Sequence, residues 1–79
     1  MSKFYVYSKS NCGFCNRLIQ FMETKGLNYE KFSLGEDFSP EEFRKKFGRG
    51  STFPQVYYNN VSIGGMKDTI RYIAENKLV

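Results

Sequence analysis

Two cysteines, Cys12 and Cys15, stand in the stretch SNCGFCNR (Ser10–Arg17), and the chain holds no other cysteine and no histidine. A Cys-x-x-Cys pair can clamp a metal, close a structural disulfide or exchange electrons. A structural zinc site wants four ligands, and two cysteines without histidine fall short of that. A disulfide spanning two intervening residues closes a very small loop, where the stabilisation from loop closure is least. Dithiol redox chemistry is therefore the reading these residue types favour, above all in a compartment that keeps thiols reduced.

The elements that must position the pair can be read from the apolar pattern. KFYVY (Lys3–Tyr7) is β-branched and aromatic and predicts a first strand. Cys15, Leu18, Ile19 and Met22 recur at helical spacing, so a helix should run from Cys12 or Gly13 to Lys25 and stop at Gly26, with Arg17 on its exposed face. LNYEKFSL (27–34) alternates as a second strand. SPEEF then opens a second helix, with Ser39 as N-cap, Pro40 at the first helical position and Glu42 completing a capping box. Phe43 and Phe47 give it an apolar face, and Gly48 ends it. FPQVYY is a third strand and VSIGG a fourth, joined through Asn59–Asn60, a pair suited to a tight hairpin. Met66, Ile70, Ile73 and Ala74 mark a last helix. The order β-α-β-α-β-β-α predicts an α/β fold: a four-stranded mixed sheet flanked by three helices.

This arrangement puts Cys12 where a strand's exit loop becomes a helix. Unpaired N–H groups and the positive end of the helix dipole stabilise an anion there, so the Cys12 thiol should ionise below the usual thiol range. Cys15, a turn further in and on the apolar face, should be the less exposed of the two. That asymmetry suits an exposed attacking sulfur with a resolving sulfur behind it. Without histidine the usual general base is missing, but a pre-ionised thiolate needs none.

The rest of the composition sets bounds. The 79 residues include eight Phe and six Tyr, large side chains able to fill the core of a small domain that buries only about 60% of its unfolded surface. One domain, residues 1–79, is expected. Twelve Lys and Arg against eight acids give a net charge of +4, dispersed without a basic stripe, so no nucleic-acid partner is expected. No run approaches the roughly 20 apolar residues of a membrane span, and MSKFYVYSKS lacks the apolar run of a signal peptide. A cytoplasmic protein without a membrane partner is the expectation.

Three motifs in order, YSKSNCGFC, TFPQV and IGG, resemble the small dithiol glutaredoxins of the bacterial and phage type, over nearly the whole chain. The thioredoxins differ in carrying Trp-Cys-Gly-Pro-Cys on a longer chain. The resemblance implies a thioredoxin-like fold with a cis peptide before Pro54 and glutathione as electron donor. It implies a working monomer in the cytoplasm, or in the host cytoplasm for a virus-encoded protein. Its protein partners would be disulfide-bearing or glutathionylated, ribonucleotide reductase being a common one in the family. It assigns catalysis to Cys12 and Cys15. It also implies a glutathione groove. Lys9, joined by Arg49, would meet the glycine carboxylate, and Phe14 would stand beside the groove. Thr52, Phe53 and Pro54 would pair with the cysteinyl part in the manner of an added strand. Gly65, Met66 and Lys67, with Asp68, would hold the γ-glutamyl end.

Two departures from the family pattern bear on that groove. Lys67 stands where many members have an acid or Ser; it would repel an ammonium and favour a carboxylate, leaving Asp68 as the substitute anion. GRGSTFP is one residue longer than is common between the second helix's glycine and the proline, so Arg49 either reaches the glycine carboxylate or swings clear. Gly13–Phe14 also matches the middle of the single-cysteine relatives. This raises the alternative of a 2Fe–2S cluster bridging two copies through Cys12 and glutathione, although the extended loop of cluster carriers is absent.

Overall fold

The computed structural model describes residues 3–77. Its central strand β1 (Phe4–Ser8) alternates: Phe4, Val6 and Ser8 are buried, while Tyr5 and Tyr7 point to the opposite face. Helix α1 (Gly13–Thr24) lays Cys15, Leu18 and Met22 along one buried stripe. Lys25 caps it, and Gly26, at φ 69°, turns the chain out of the helix. Strand β2 (Tyr29–Ser33) returns parallel to β1, with Phe4 opposite Tyr29 and Ser8 opposite Ser33.

Helix α2 (Pro40–Phe47) begins with both halves of the capping box in place. Glu42 N–H donates to Ser39 Oγ at 3.1 Å, and Ser39 N–H donates to Glu42 Oε1 at 2.9 Å. Strand β3 (Gln55–Tyr58) runs antiparallel to β1 and pairs with β4 (Val61–Gly64), giving the order β2-β1-β3-β4. Asn59 and Asn60 turn the hairpin with φ of 53° and 64°, the doubly positive geometry that favours asparagine. The third strand starts two residues later than FPQVYY suggests: Phe53 and Pro54 lead into it, and Pro54 has no N–H to give a ladder.

Helix α3 (Met66–Glu75) completes the fold. Its buried positions are Thr69 and Ile73, whereas Ala74, which the periodicity put on the apolar face, is exposed. Thr69 can be buried because its hydroxyl donates to Gly65 O at 2.7 Å. The aliphatic core gathers Phe4, Val6, Leu18, Met22, Val56 and Ile73 between the sheet and α1 and α3. Across the sheet, α2 packs through rings: Phe47 meets Tyr7 and Tyr57 at centroid distances of 5.0 and 5.4 Å, and Phe43 stacks on Phe53 at 4.2 Å. No helix among the described residues is long and apolar enough to cross a membrane.

Candidate functional site

The β1 exit, the β3 entry and the β4 exit lie at one end of the sheet, because Tyr7 pairs with Gln55 and Val56 with Gly64. The cysteine pair and the cleft beside it are gathered at that end. Beyond β1, Asn11 takes φ 57°, a left-handed turn that asparagine tolerates, and Cys12 becomes the N-cap of α1 with extended backbone. Its sulfur accepts the Cys15 N–H at 3.2 Å. A helix-end N–H, normally left for water, is thus directed at the sulfur that would carry negative charge.

Cys12 and Cys15 are joined as a disulfide, with Cα atoms 5.2 Å apart. Cys15 is 1% exposed and Cys12 7%. The order of exposure is as the sequence implies, but Cys12 is not an exposed sulfur: bonded to Cys15 beneath it, it shows solvent only a narrow edge.

Beside the pair lies a cleft of about 430 Å³ that brings together eight of the residues named from sequence. Phe14, 55% exposed, forms one rim. Thr52, Phe53 and Pro54 form a wall, with the Phe53–Pro54 peptide in the cis form. Gly65, Met66, Lys67 and Asp68, at the start of α3, form the other wall. Gly65 is the N-cap and has no side chain to cap the first turn, so backbone N–H groups there are open to a ligand. Lys9 does not line the cleft itself, but its ammonium lies over the Phe53 ring, 5.3 Å from the centroid.

Arg49 lies elsewhere. It follows Gly48 and precedes Gly50, at φ 95° and 79°, and lines a separate cleft with Arg44 and Lys45 of α2. The longer GRGSTFP run thus carries it clear of the redox cleft.

Two lining residues were missed from sequence. Gln55 stands at the cleft and fixes its neighbour, donating from Nε2 to Thr52 O at 2.8 Å; its place directly after Pro54 was the available signal. Gly64, at φ 120°, lies so close to Asp68 that an added Cβ would come within 2.6 Å of Oδ2. A glycine there lets the Asp68 carboxylate lie against the backbone of the β4 exit.

A 2Fe–2S cluster wants four ligands, typically cysteine sulfurs. This chain offers two, bonded to each other here, and no group of three or more His, Cys, Asp or Glu side chains gathers among the described residues. One copy's residues alone therefore do not fit such a cluster, whereas the arrangement bridging two copies asks only Cys12 and a glutathione of each and would need Cys12 freed from Cys15.

A family model described as Glutaredoxin matches residues 5–63. The chain belongs to the glutaredoxin family. Glutaredoxins are thiol–disulfide oxidoreductases, and the Cys12–Cys15 pair stands where that chemistry needs it. Glutaredoxin 3 of Escherichia coli is 30% identical over 69 residues, covering 86% of this chain and 82% of that protein. The hybrid peroxiredoxin hyPrx5 of Haemophilus influenzae is 36% identical over 69 residues, covering 87% of this chain. The chain spans only 28% of that protein's length, and 20% of the cattle, human and mouse proteins called Glutaredoxin-3. Among solved structures, buckwheat glutaredoxin in complex with glutathione superposes with a TM-score of 0.75, covering 98% of this chain and 73% of that one. At 24% identity that likeness is one of fold.

Proposed function

We propose that this glutaredoxin-family chain reduces protein disulfides and glutathione mixed disulfides, with glutathione as its electron donor. The observation that carries the reading is the placement of Cys12: a sulfur at the N-cap of α1, accepting the Cys15 N–H, two residues before Phe14 at the rim of a cleft walled by Pro54 and the start of α3. A neighbour's glutathione complex and the glutaredoxin family model support the donor.

In the reduced protein the Cys12 thiolate attacks one sulfur of the substrate disulfide. That S–S bond breaks, its electron pair leaves on the second sulfur, and water supplies the proton. Cys15 then gives up its proton and attacks Cys12 Sγ, releasing the other substrate thiol and closing the Cys12–Cys15 disulfide. Two electrons have passed from the dithiol to the substrate. Two glutathione thiols return them in two further exchanges and leave as glutathione disulfide. The helix end does the work of a base by favouring the thiolate of Cys12.

The cleft suits the donor by charge. Glutathione carries two carboxylates and one ammonium; Lys9 and Lys67 are available to the first, and Asp68 to the second. In this reading Phe53 offers its backbone to the cysteinyl part, and the open N–H groups from Gly65 to Lys67 take the γ-glutamyl carboxylate. Arg49 has no part in it. In this proposal the protein works in the cytoplasm as a monomer on disulfide-bearing or glutathionylated proteins, with ribonucleotide reductase one candidate.

The test is turnover of a glutathione mixed disulfide coupled to glutathione reductase. Cys12→Ser should fall to background. Cys15→Ser should keep turnover of the mixed disulfide and lose reduction of protein disulfides. Wild-type activity in Cys12→Ser would refute the assignment of the nucleophile.

A further inference from the structure

Arg49, absent from the redox cleft, belongs to a basic surface of its own. Arg44 and Lys45 on the last turns of α2 line a cleft of about 490 Å³ with Arg49 from the loop beyond. All three side chains are exposed, and the single ion pair among the described residues, Lys3 with Glu30, involves none of them. The helix dipole accounts for basic residues in the last turn of α2, but not for Arg49, which lies past the helix end. Of the two acids in the same cleft, Glu42 is committed to the capping box, its Oε1 accepting the Ser39 N–H. Three cations, Arg44, Lys45 and Arg49, stand there against two carboxylates, Glu41 and Glu42, so the cleft keeps a small positive excess.

A smaller cleft lies between this surface and the redox cleft and shares a lining residue with each. Phe53 walls the redox cleft and also lines a smaller one, of about 250 Å³, together with Arg44 and Ser51. Arg44 in turn lines the basic cleft. A chain leaving the cysteines along Phe53 would pass over Arg44 and reach Lys45 and Arg49, with Lys9 above Phe53 at the start of the path.

We infer that Arg44, Lys45 and Arg49 form a docking surface for an acidic polypeptide segment flanking the disulfide of a substrate protein. The inference rests on the proposed reductase function, because the occupant is the stretch of chain flanking a disulfide held at the neighbouring redox cleft. Such a surface acts on encounter and on KM, and leaves the exchange chemistry alone.

The experiment uses two synthetic peptides with the same single disulfide, one flanked by Glu and the other by Gln. Reduction is measured with the wild type and with Arg44→Gln/Lys45→Gln, whose folding is checked by circular dichroism, and binding of each oxidised peptide is measured by fluorescence anisotropy. At low salt the wild type should show a KM about tenfold lower for the Glu peptide, at equal kcat. The preference should vanish at about 0.5 M salt, where screening is nearly complete. In the double variant it should be lost, while turnover of a small glutathione mixed disulfide stays at the wild-type level. Equal KM and equal binding for the two peptides would overturn the inference, as would a Glu preference that survives in the variant. Displacement of the Glu peptide by an uncharged-flank peptide, or tighter binding of a DNA oligonucleotide than of the Glu peptide, would overturn it too. Loss of small mixed-disulfide turnover in the wild type would instead count against the reductase reading, and the anisotropy comparison would still decide whether the acidic segment binds.

Discussion

The two faces of the sheet are built by different rules. On the α1 and α3 side the core is mainly aliphatic: Phe4, Val6, Leu18, Met22, Val56 and Ile73 are each 2% exposed or less. On the α2 side the contacts are between rings, and of Tyr7, Phe38, Phe43, Phe47, Phe53 and Tyr57 only Phe38 and Phe43 are buried. Branched and flexible chains interdigitate to closure. Rings meet edge-on or offset, and here they leave a cleft of about 510 Å³ bordered by Tyr7, Phe38 and Phe43. Their open faces receive cations: Lys46 lies 4.4 Å from the Tyr57 centroid and Lys9 5.3 Å from that of Phe53. The closed face fixes the cysteines, since Cys15 belongs to the same stripe as Leu18 and Met22. The ring face supplies Phe53. The redox cleft forms where the two meet.

The contrast can be broken most forcefully on the closed side. Leu18→Ala should cost about 2–5 kcal/mol in urea unfolding, because a fully enclosed site cannot collapse around the void. Phe47→Leu on the ring side should cost only about 1 kcal/mol, the scale of lost ring–ring geometry at a half-buried position. Equal losses would mean that the ring face is as tightly packed as the core. A smaller effect sharpens the picture further. Lys46→Gln removes the ammonium from the faces of Tyr57 and Tyr7 and should cost about 0.5–1 kcal/mol, read from the shift in urea midpoint at unchanged slope. No shift would show Lys46 to be a solvated charge.

Much of this was legible in the sequence, and the reasons are local. The capping box at Ser39–Glu42, the asparagine hairpin and the stripe Cys15–Leu18–Met22 follow from side chains acting on their own backbone or at a fixed period. The cleft walls were named only through resemblance, since Thr52–Pro54 and Gly65–Asp68 meet by sheet pairing between segments distant in sequence. What was missed depended on the third dimension. Thr69 is buried because its hydroxyl finds Gly65 O, which periodicity of apolar residues cannot reveal. Phe38 lies in a stretch read as neither strand nor helix, yet it is 8% exposed and rests against Tyr7 and Phe43. The sequence leaves the course of Arg49 open between two outcomes, because two positive-φ glycines, Gly48 and Gly50, set its direction and the sequence does not state their angles.

The smallest expected effect lies where a ring joins the closed face. Tyr29 packs against the aliphatic core, and its hydroxyl donates to Glu23 Oε2 at 2.9 Å, tying β2 to α1. Burial first, then the hydrogen bond and the negative charge of Glu23, push its pKa above the ordinary value of 10.0. The folded protein therefore holds the phenol proton more tightly than the unfolded chain does. The stability this contributes is fully present below pH 10.0 and is lost as the pH climbs through the raised folded value. Other groups titrate in the same range, so the quantity to follow is the difference in urea midpoint between wild type and Tyr29→Phe. The hydrogen bond missing from the variant contributes to that difference near neutral pH, where the phenol keeps its proton. The wild type's advantage over the variant should shrink as the pH rises past 10.0. A difference that stays constant, or grows, would mean that the hydroxyl is not held in its neutral form by Glu23 and the core, and that this ring belongs with the open ones across the sheet.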